Sequence, residues 1–308
     1  MSAAVDNVSE HRTVDTARVE TPFRRFVADF FESRLATGAF VIFLGIVFIA
    51  LFAPLISPTN PYDLATVDIL DNHLAPGSKS FSGMTYWLGT DGAGRDLLSA
   101  IFYGLRTSLS VGVMSGVVAM CLGCAIGLSA AYFGGRTDTL IMRIVDLQLS
   151  FPAILVALVL LAVLGKGVDK IVIALVAVQW AYYARTVRAS ALVERRKEYV
   201  EAAACLALSH GRILFRHVLP NCLPPLIVVV TVQTAHAISL EATLSFLGIG
   251  LPVTEPSLGL LIANGFDYML SGKYWISFFP GIALLVTIVS INLVGDQLRD
   301  VLNPRLQR

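Results

Sequence analysis

The sequence predicts an all-α membrane protein with six transmembrane helices. Of its 308 residues, 56% are hydrophobic and 15% charged, and the mean hydropathy is +0.72. A soluble globular chain of this length is less apolar. A span needs about 20 mainly apolar residues, and a charge at its centre costs roughly 2.5–3.5 kcal/mol. Runs of this kind recur at 36–57, 107–133, 144–164, 171–184, 226–247 and 275–293. Only 14 residues separate Lys170 from Arg185, so the fourth run spans if those side chains snorkel to opposite interfaces. A net charge of +1 gives no broad basic field for nucleic acid.

The chain divides into an N-terminal tail at 1–35, a first span at 36–57, an outer segment at 58–106, a core at 107–297 and a C-terminal tail at 298–308. Residues 1–20 are polar. Phe23, Phe26, Val27, Phe30 and Phe31 then follow helical spacing, with Arg24, Arg25, Asp29 and Glu32 between them. This pattern fits an amphipathic helix on the inner headgroup surface, and equally an extension of the first span. The first apolar run follows a charged segment and is long enough to remain as an anchor, so no cleavable signal peptide is expected.

In the outer segment, Gly89, Thr90, Asp91, Gly94, Arg95 and Asp96 predict a turn with side-chain capping. It starts an amphipathic helix with Leu97, Leu98, Ile101, Phe102 and Leu105 on its buried side. It is not a phosphate loop, which requires Gly-x4-Gly-Lys-Ser/Thr. The Gly-Lys pairs at 165–166 and 272–273 are followed by Gly167 and Tyr274. No nucleotide-binding motif is visible, and no cofactor is expected in this chain.

Span two carries Ser108, Gly112, Gly116, Gly123 and Gly127, small residues that let another helix approach closely. Cys121 and Cys124 form C-x-x-C inside that apolar run, which favours packing over metal or redox chemistry. Cys205 and Cys222 fall on the reducing inner side, and His11, His73, His210, His217 and His236 are dispersed, so no metal cluster is expected. Span five holds Gln233, His236 and Glu241 among other polar residues. Such side chains are expensive in lipid, so they face protein or a water-filled path. Gln148 and Gln179 are weaker path candidates, because one amide can simply join two helices.

Lys and Arg placement sets orientation. With the N-terminus inside, 17 of these residues fall on the cytoplasmic side and 6 outside, so both termini and the loop at 185–221 are expected in the cytoplasm. Within that loop lies EYVEAAACLALSHGRILFRHVLPN, from Glu198 to Asn221. Val200, Ala203, Ala204, Ala207, Leu208, Leu214, Phe215 and Val218 recur at helical spacing, interrupted by Glu198, Glu201, Arg212, Arg216 and His217. The pattern predicts a helix that docks outside the bilayer.

Glu201, Ala202 and Ala203, followed by Leu219 and Pro220, resemble the "EAA" loop of inner-membrane permeases of ATP-binding-cassette (ABC) importers. Three further motifs narrow the resemblance to the second, C-type permease of dipeptide, oligopeptide and nickel importers. They are Gly-Thr-Asp-x-x-Gly-Arg-Asp ending at Asp96, with Tyr103-Gly104-x-Arg106-x-Ser108-Leu109 after it; Glu241-Ala242-x-Leu244-Ser245-Phe246-Leu247-Gly248; and Asn292-Leu293-x-Gly295-Asp296-x-Leu298-Arg299-Asp300 with Pro304-Arg305.

The resemblance implies a type I ABC importer permease fold with a cytoplasmic coupling helix, in a bacterial inner membrane. It also implies a heterodimer with a second permease, to which the small residues of span two would contribute packing. Two ATP-binding subunits would bind ATP and Mg, an extracytoplasmic solute-binding protein would deliver short peptides, and membrane lipid would surround the pair. Relatives with nickel, glutathione or other cargo share these motifs, and a gradient-driven transporter working through His236 and Glu241 is the rival of another class.

ATPase contact is expected from Glu201, Ala202, Ala203, Ala207, Ser209, Arg212 and Arg216, with Glu201 as principal charge. Three positions depart from the family pattern: Ala207 replaces Gly, Leu258 stands where many relatives carry Trp, and Asn303 where Asp is usual. Ala207 predicts an ordinary helical backbone there. Leu258 is placed in an outer loop, where it bears on which binding protein or substrate is accepted.

Overall fold

The computed structural model describes residues 22–61, 63, 69–80, 83–252 and 254–302. The polar segment 1–20, the side chain of Phe23, and Asn303, Pro304 and Arg305 lie outside the described residues. The helices are α1 (Pro22–Glu32), α2 (Arg34–Ile56), α3 (Leu97–Phe133), α4 (Gly135–Ser150), α5 (Ala153–Leu164), α6 (Val168–Glu194), α7 (Glu198–Cys205), α8 (His210–Arg212), α9 (Leu219–Phe246), α10 (Leu258–Phe266) and α11 (Trp275–Leu302). A short antiparallel pair, β1 (Ser78–Lys79) and β2 (Thr85–Tyr86), sits in the outer segment.

Helix α1 is separate from the first span. Ser33 leaves helical geometry and caps α2 by accepting from the Ala36 amide. Phe30 then packs against Ala39, Val294 and Val301, so α1 rests on this chain's own α2 and α11.

The capped turn forms as its spacing predicts. Asp91 accepts from the Ala93 and Arg95 amides and pairs with the Arg95 guanidinium at 2.8 Å, while Asp96 caps α3 through the Ser99 amide. Helix α3 runs unbroken for 37 residues, so the outer amphipathic helix and span two are one rod, and the boundary drawn at 106 falls inside it.

The expected span at 144–164 is built from two helices bent by 90°. Pro152 has no amide to donate, and Phe151 before it takes an extended backbone (φ −89, ψ 140), as pre-proline sterics favour. The fourth expected span falls within α6, a 27-residue helix whose charges keep it below the apolarity of the others. Among the described residues, four helices are long and apolar enough to cross a membrane, or five if the bent pair is one span, against the six expected.

Helix α3 is the central rod, with α6 and α9 on one side and α2, α10 and α11 around its outer half. The small residues of span two serve this packing within the chain. A Cβ on Gly123 would lie 2.5 Å from the Trp180 carbonyl oxygen, and one on Gly127 2.4 Å from that of Ala184. Leu258 is fully buried against Gly104 in the same core, so it is no outer-loop contact.

Candidate coupling site and path

The loop between α6 and α9 folds back onto the inner core. Val200 and Ala203 of α7, with Ile213, Leu214 and Val218, join Leu128, Ala131, Tyr183, Val187 and Ala191 in one buried cluster. An eight-residue helix is too short to persist alone, so this packing holds α7. The opposite face is open: Glu201, Ala202, Ser209, Arg212 and Arg216 are all exposed.

Helical periodicity misreads this loop in three ways. Helix α7 ends at Cys205, and Ala207 takes a left-handed backbone with φ 53 rather than the ordinary helical one expected. The Ala207 amide donates to Ala204 O and the Leu208 amide to Ala203 O, which is a Schellman ending with Ala where Gly is usual. Residues Ile213–Val218 form a π-helical turn, whose additional residue per turn breaks the α-helical register, and Phe215 within it is exposed. Ala204, Ala207 and Phe215 are exposed, with Leu206 at 75%, whereas Ala203, expected at the ATPase, is buried in this chain's own cluster.

Residues that the pattern did not single out tie the loop down. Glu194, the last residue of α6, accepts from Lys197 Nζ at 2.7 Å and from the Tyr199 hydroxyl at 2.7 Å. Asn221 of α9 donates to that hydroxyl at 3.1 Å and to His217 O at 2.8 Å. Burial, and then the bond to Glu194, push the Tyr199 phenol up to about 12. Burial raises the Glu194 carboxyl, but the bonds from Lys197 and Tyr199 outweigh it and hold the group below its ordinary value. Near α8, the Tyr132 hydroxyl and His210 Nδ1 lie 2.5 Å apart, and Arg195 donates to Ala131 O at 2.9 Å. Tyr199 and Asn221 stand among the charged residues that drew attention; no periodicity marks which of them meet.

The candidate path residues separate into two kinds. Glu241 is wholly buried and accepts from the Ser108 and Ser245 hydroxyls at 2.8 and 2.7 Å, which joins α3 to α9. Gln148 donates to Ala177 O at 3.1 Å, and buried Gln179 donates to Gln233 O at 3.4 Å. These three act as ties between helices. His236 is exposed midway along α9, and Gln233 borders a cavity of about 570 Å³ with Tyr182, Arg185 and Arg299. A neighbouring cavity of about 500 Å³ shares Thr186, Val228, Val229 and Arg299 and reaches Asn221. Together they form a groove beside α9 from mid-helix to the loop between α6 and α9.

Residues 119–308 match the family described as the inner-membrane component of binding-protein-dependent transport systems, and residues 21–76 match the N-terminal transmembrane domain of oligopeptide transport permease C. The chain belongs to this permease family. It is 48% identical over 225 residues to a putative peptide transport system permease protein of Brucella suis, covering 73% of this chain and 75% of that one. The di/tripeptide transport system permease protein DppC of Pseudomonas aeruginosa is 38% identical, over 93% of each chain. The glutathione transport system permease protein GsiD of Pectobacterium atrosepticum is 34% identical, over 94% and 93%. In fold, the permease resembles an inward-facing MetNI methionine ABC transporter, with TM-score 0.55 at 18% identity over 67% of this chain and 98% of that one. It is therefore an integral inner-membrane component of a binding-protein-dependent transport system, in the class of ABC importer permeases.

Proposed function

We propose that this permease pairs with a second, homologous permease to carry short peptides inward, driven by two separate ATPase subunits and fed by an extracytoplasmic binding protein. ATP and Mg belong to the ATPase subunits, since no nucleotide-binding motif is visible in this sequence. Both termini and the α7 loop lie in the cytoplasm, as the Lys and Arg placement favours. The observation that carries the reading is the α7 surface. Glu201 of α7 and Ser209, Arg212 and Arg216 of the stretch after it are exposed on a loop packed against the ends of α3, α6 and α9.

Closure of the ATPases pushes on this surface. The push tilts α6 and α9 and opens or closes the path beside them. His236 and Gln233 line that path, because an exposed imidazole in mid-span is stable only against protein or water. Gln148, Gln179 and Glu241 hold the path's walls together from behind. A second reading of cargo, glutathione, is favoured by the likeness to GsiD.

The test begins with purification of the tagged permease from its native membrane. Recovery of a second permease and ATPase subunits supports the reading, and recovery of this chain alone in several mild detergents contradicts it. Glu201→Lys should leave insertion intact and abolish uptake of labelled tripeptide. Normal uptake by the stably expressed variant would remove Glu201 from its role. Competition by unlabelled alanyl peptides or by glutathione separates the two cargoes.

A further inference from the structure

We infer that Tyr199 is the positioning residue that fastens the coupling helix to both adjoining spans at once, through Glu194 at the end of α6 and Asn221 at the start of α9. This rests on the reading of α7 as the ATPase contact.

The geometry at the hydroxyl is complete. Its single proton goes to Glu194 Oε2 at 2.7 Å, with His217 O a more distant acceptor at 3.4 Å, and its oxygen accepts from Asn221 Nδ2 at 3.1 Å. The second Asn221 proton holds His217 O at 2.8 Å, and the second Glu194 oxygen is held by Lys197 at 2.7 Å. Hydrogen bonds with a charged partner are stronger than neutral ones. One atom of the coupling helix thus bonds to side chains from two different transmembrane helices.

The clasp matters because α7 is bounded by hinges. Residues Arg195–Lys197 form a turn before it, and the non-helical stretch from Leu206 to Ser209, with left-handed Ala207, follows. A force on the Glu201 face is absorbed at these hinges if α7 rotates on its apolar contacts, because apolar packing does not fix direction. Bonds at Tyr199 block that rotation. They send the displacement to α6, which carries Gln179, and to α9, which carries Gln233 and His236. An element whose equilibrium both sites bias is a physical route for coupling them.

The test uses the intact transporter with its ATPase subunits, trapped with Mg-ATP and vanadate, and reads amide hydrogen exchange. In the wild type, α7 and the segments around Gln179 and Gln233 should change exchange together. Tyr199→Phe keeps the ring and removes only the hydroxyl. It should raise α7 exchange about tenfold or more, the equivalent of one charge-assisted bond, and cut the response at Gln179 and Gln233 several-fold while α7 still responds. Asn221→Leu, which removes the second leg, should behave alike, and its response stands as the test if Tyr199→Phe does not assemble. Wild-type responses at Gln179 and Gln233 in these variants would overturn the inference and leave the importer reading intact. A wild-type preparation without ATPase subunits would overturn both.

Discussion

Ala207 holds a backbone angle that glycine adopts freely, and an L-residue in this region costs roughly 1–2 kcal/mol. The Schellman bonds from Ala207 and Leu208 over-determine the turn, so the strain persists. Ala207→Gly is expected to stabilise the loop by about 1 kcal/mol, after the greater chain entropy of glycine is deducted. Thermal unfolding and amide exchange at Leu208 measure it, and unchanged protection would show that the angle carries no strain. Glu241 teaches a related lesson. A carboxyl in a span draws attention as a path residue, yet its serine partners, one of them 133 positions away, are invisible to spacing. The motif residues were legible one by one; their partners were not, because hydrogen bonds across the fold leave no local pattern.

Helices were legible where composition and caps agree, as at Asp96, and misread where one residue redirects the chain, as at Pro152. The small residues of α3 gave the right physical reading, close approach, but not its partner, which is α6 and α9 of the same chain. Gly127→Ala would set a methyl 2.4 Å from the Ala184 carbonyl oxygen, so α3 and α6 must separate. A loss of about 1–3 kcal/mol in detergent-solubilised stability is expected, and a neutral result would mean that the two helices part easily. At the end of the bundle that carries the α7 loop, Asp138 of α4 grips Arg188 of α6 at 2.5 and 2.6 Å. The Arg188 hydrogen bond holds the Asp138 carboxyl below its ordinary value of 3.8, against a smaller opposing effect of burial. A depressed acid contributes stability that is complete above its unfolded value and lost as pH falls below 3.8 toward the folded one. Wild type should therefore lose more stability than Asp138→Asn over that acid range. Equal slopes in acid unfolding would exclude the contact as a pH-dependent tie.

Across the whole molecule, composition and four ordered motifs were enough to assign a permease, while the number and straightness of its spans needed the tertiary structure. The proposed orientation rests on charge placement, and the proposed ATPase contact on the open face of the α7 loop. Leu206, which caps the C-terminal end of α7, is 75% exposed, so a crosslinker placed there reports what covers that end of the helix. The most direct measurement is site-specific photo-crosslinking from Leu206 in native membranes, with the adduct identified by mass spectrometry. The account predicts a single major adduct with an ATP-binding subunit, diminished by Glu201→Lys in the same chain. Adducts confined to lipid, or to the permease itself, would contradict it.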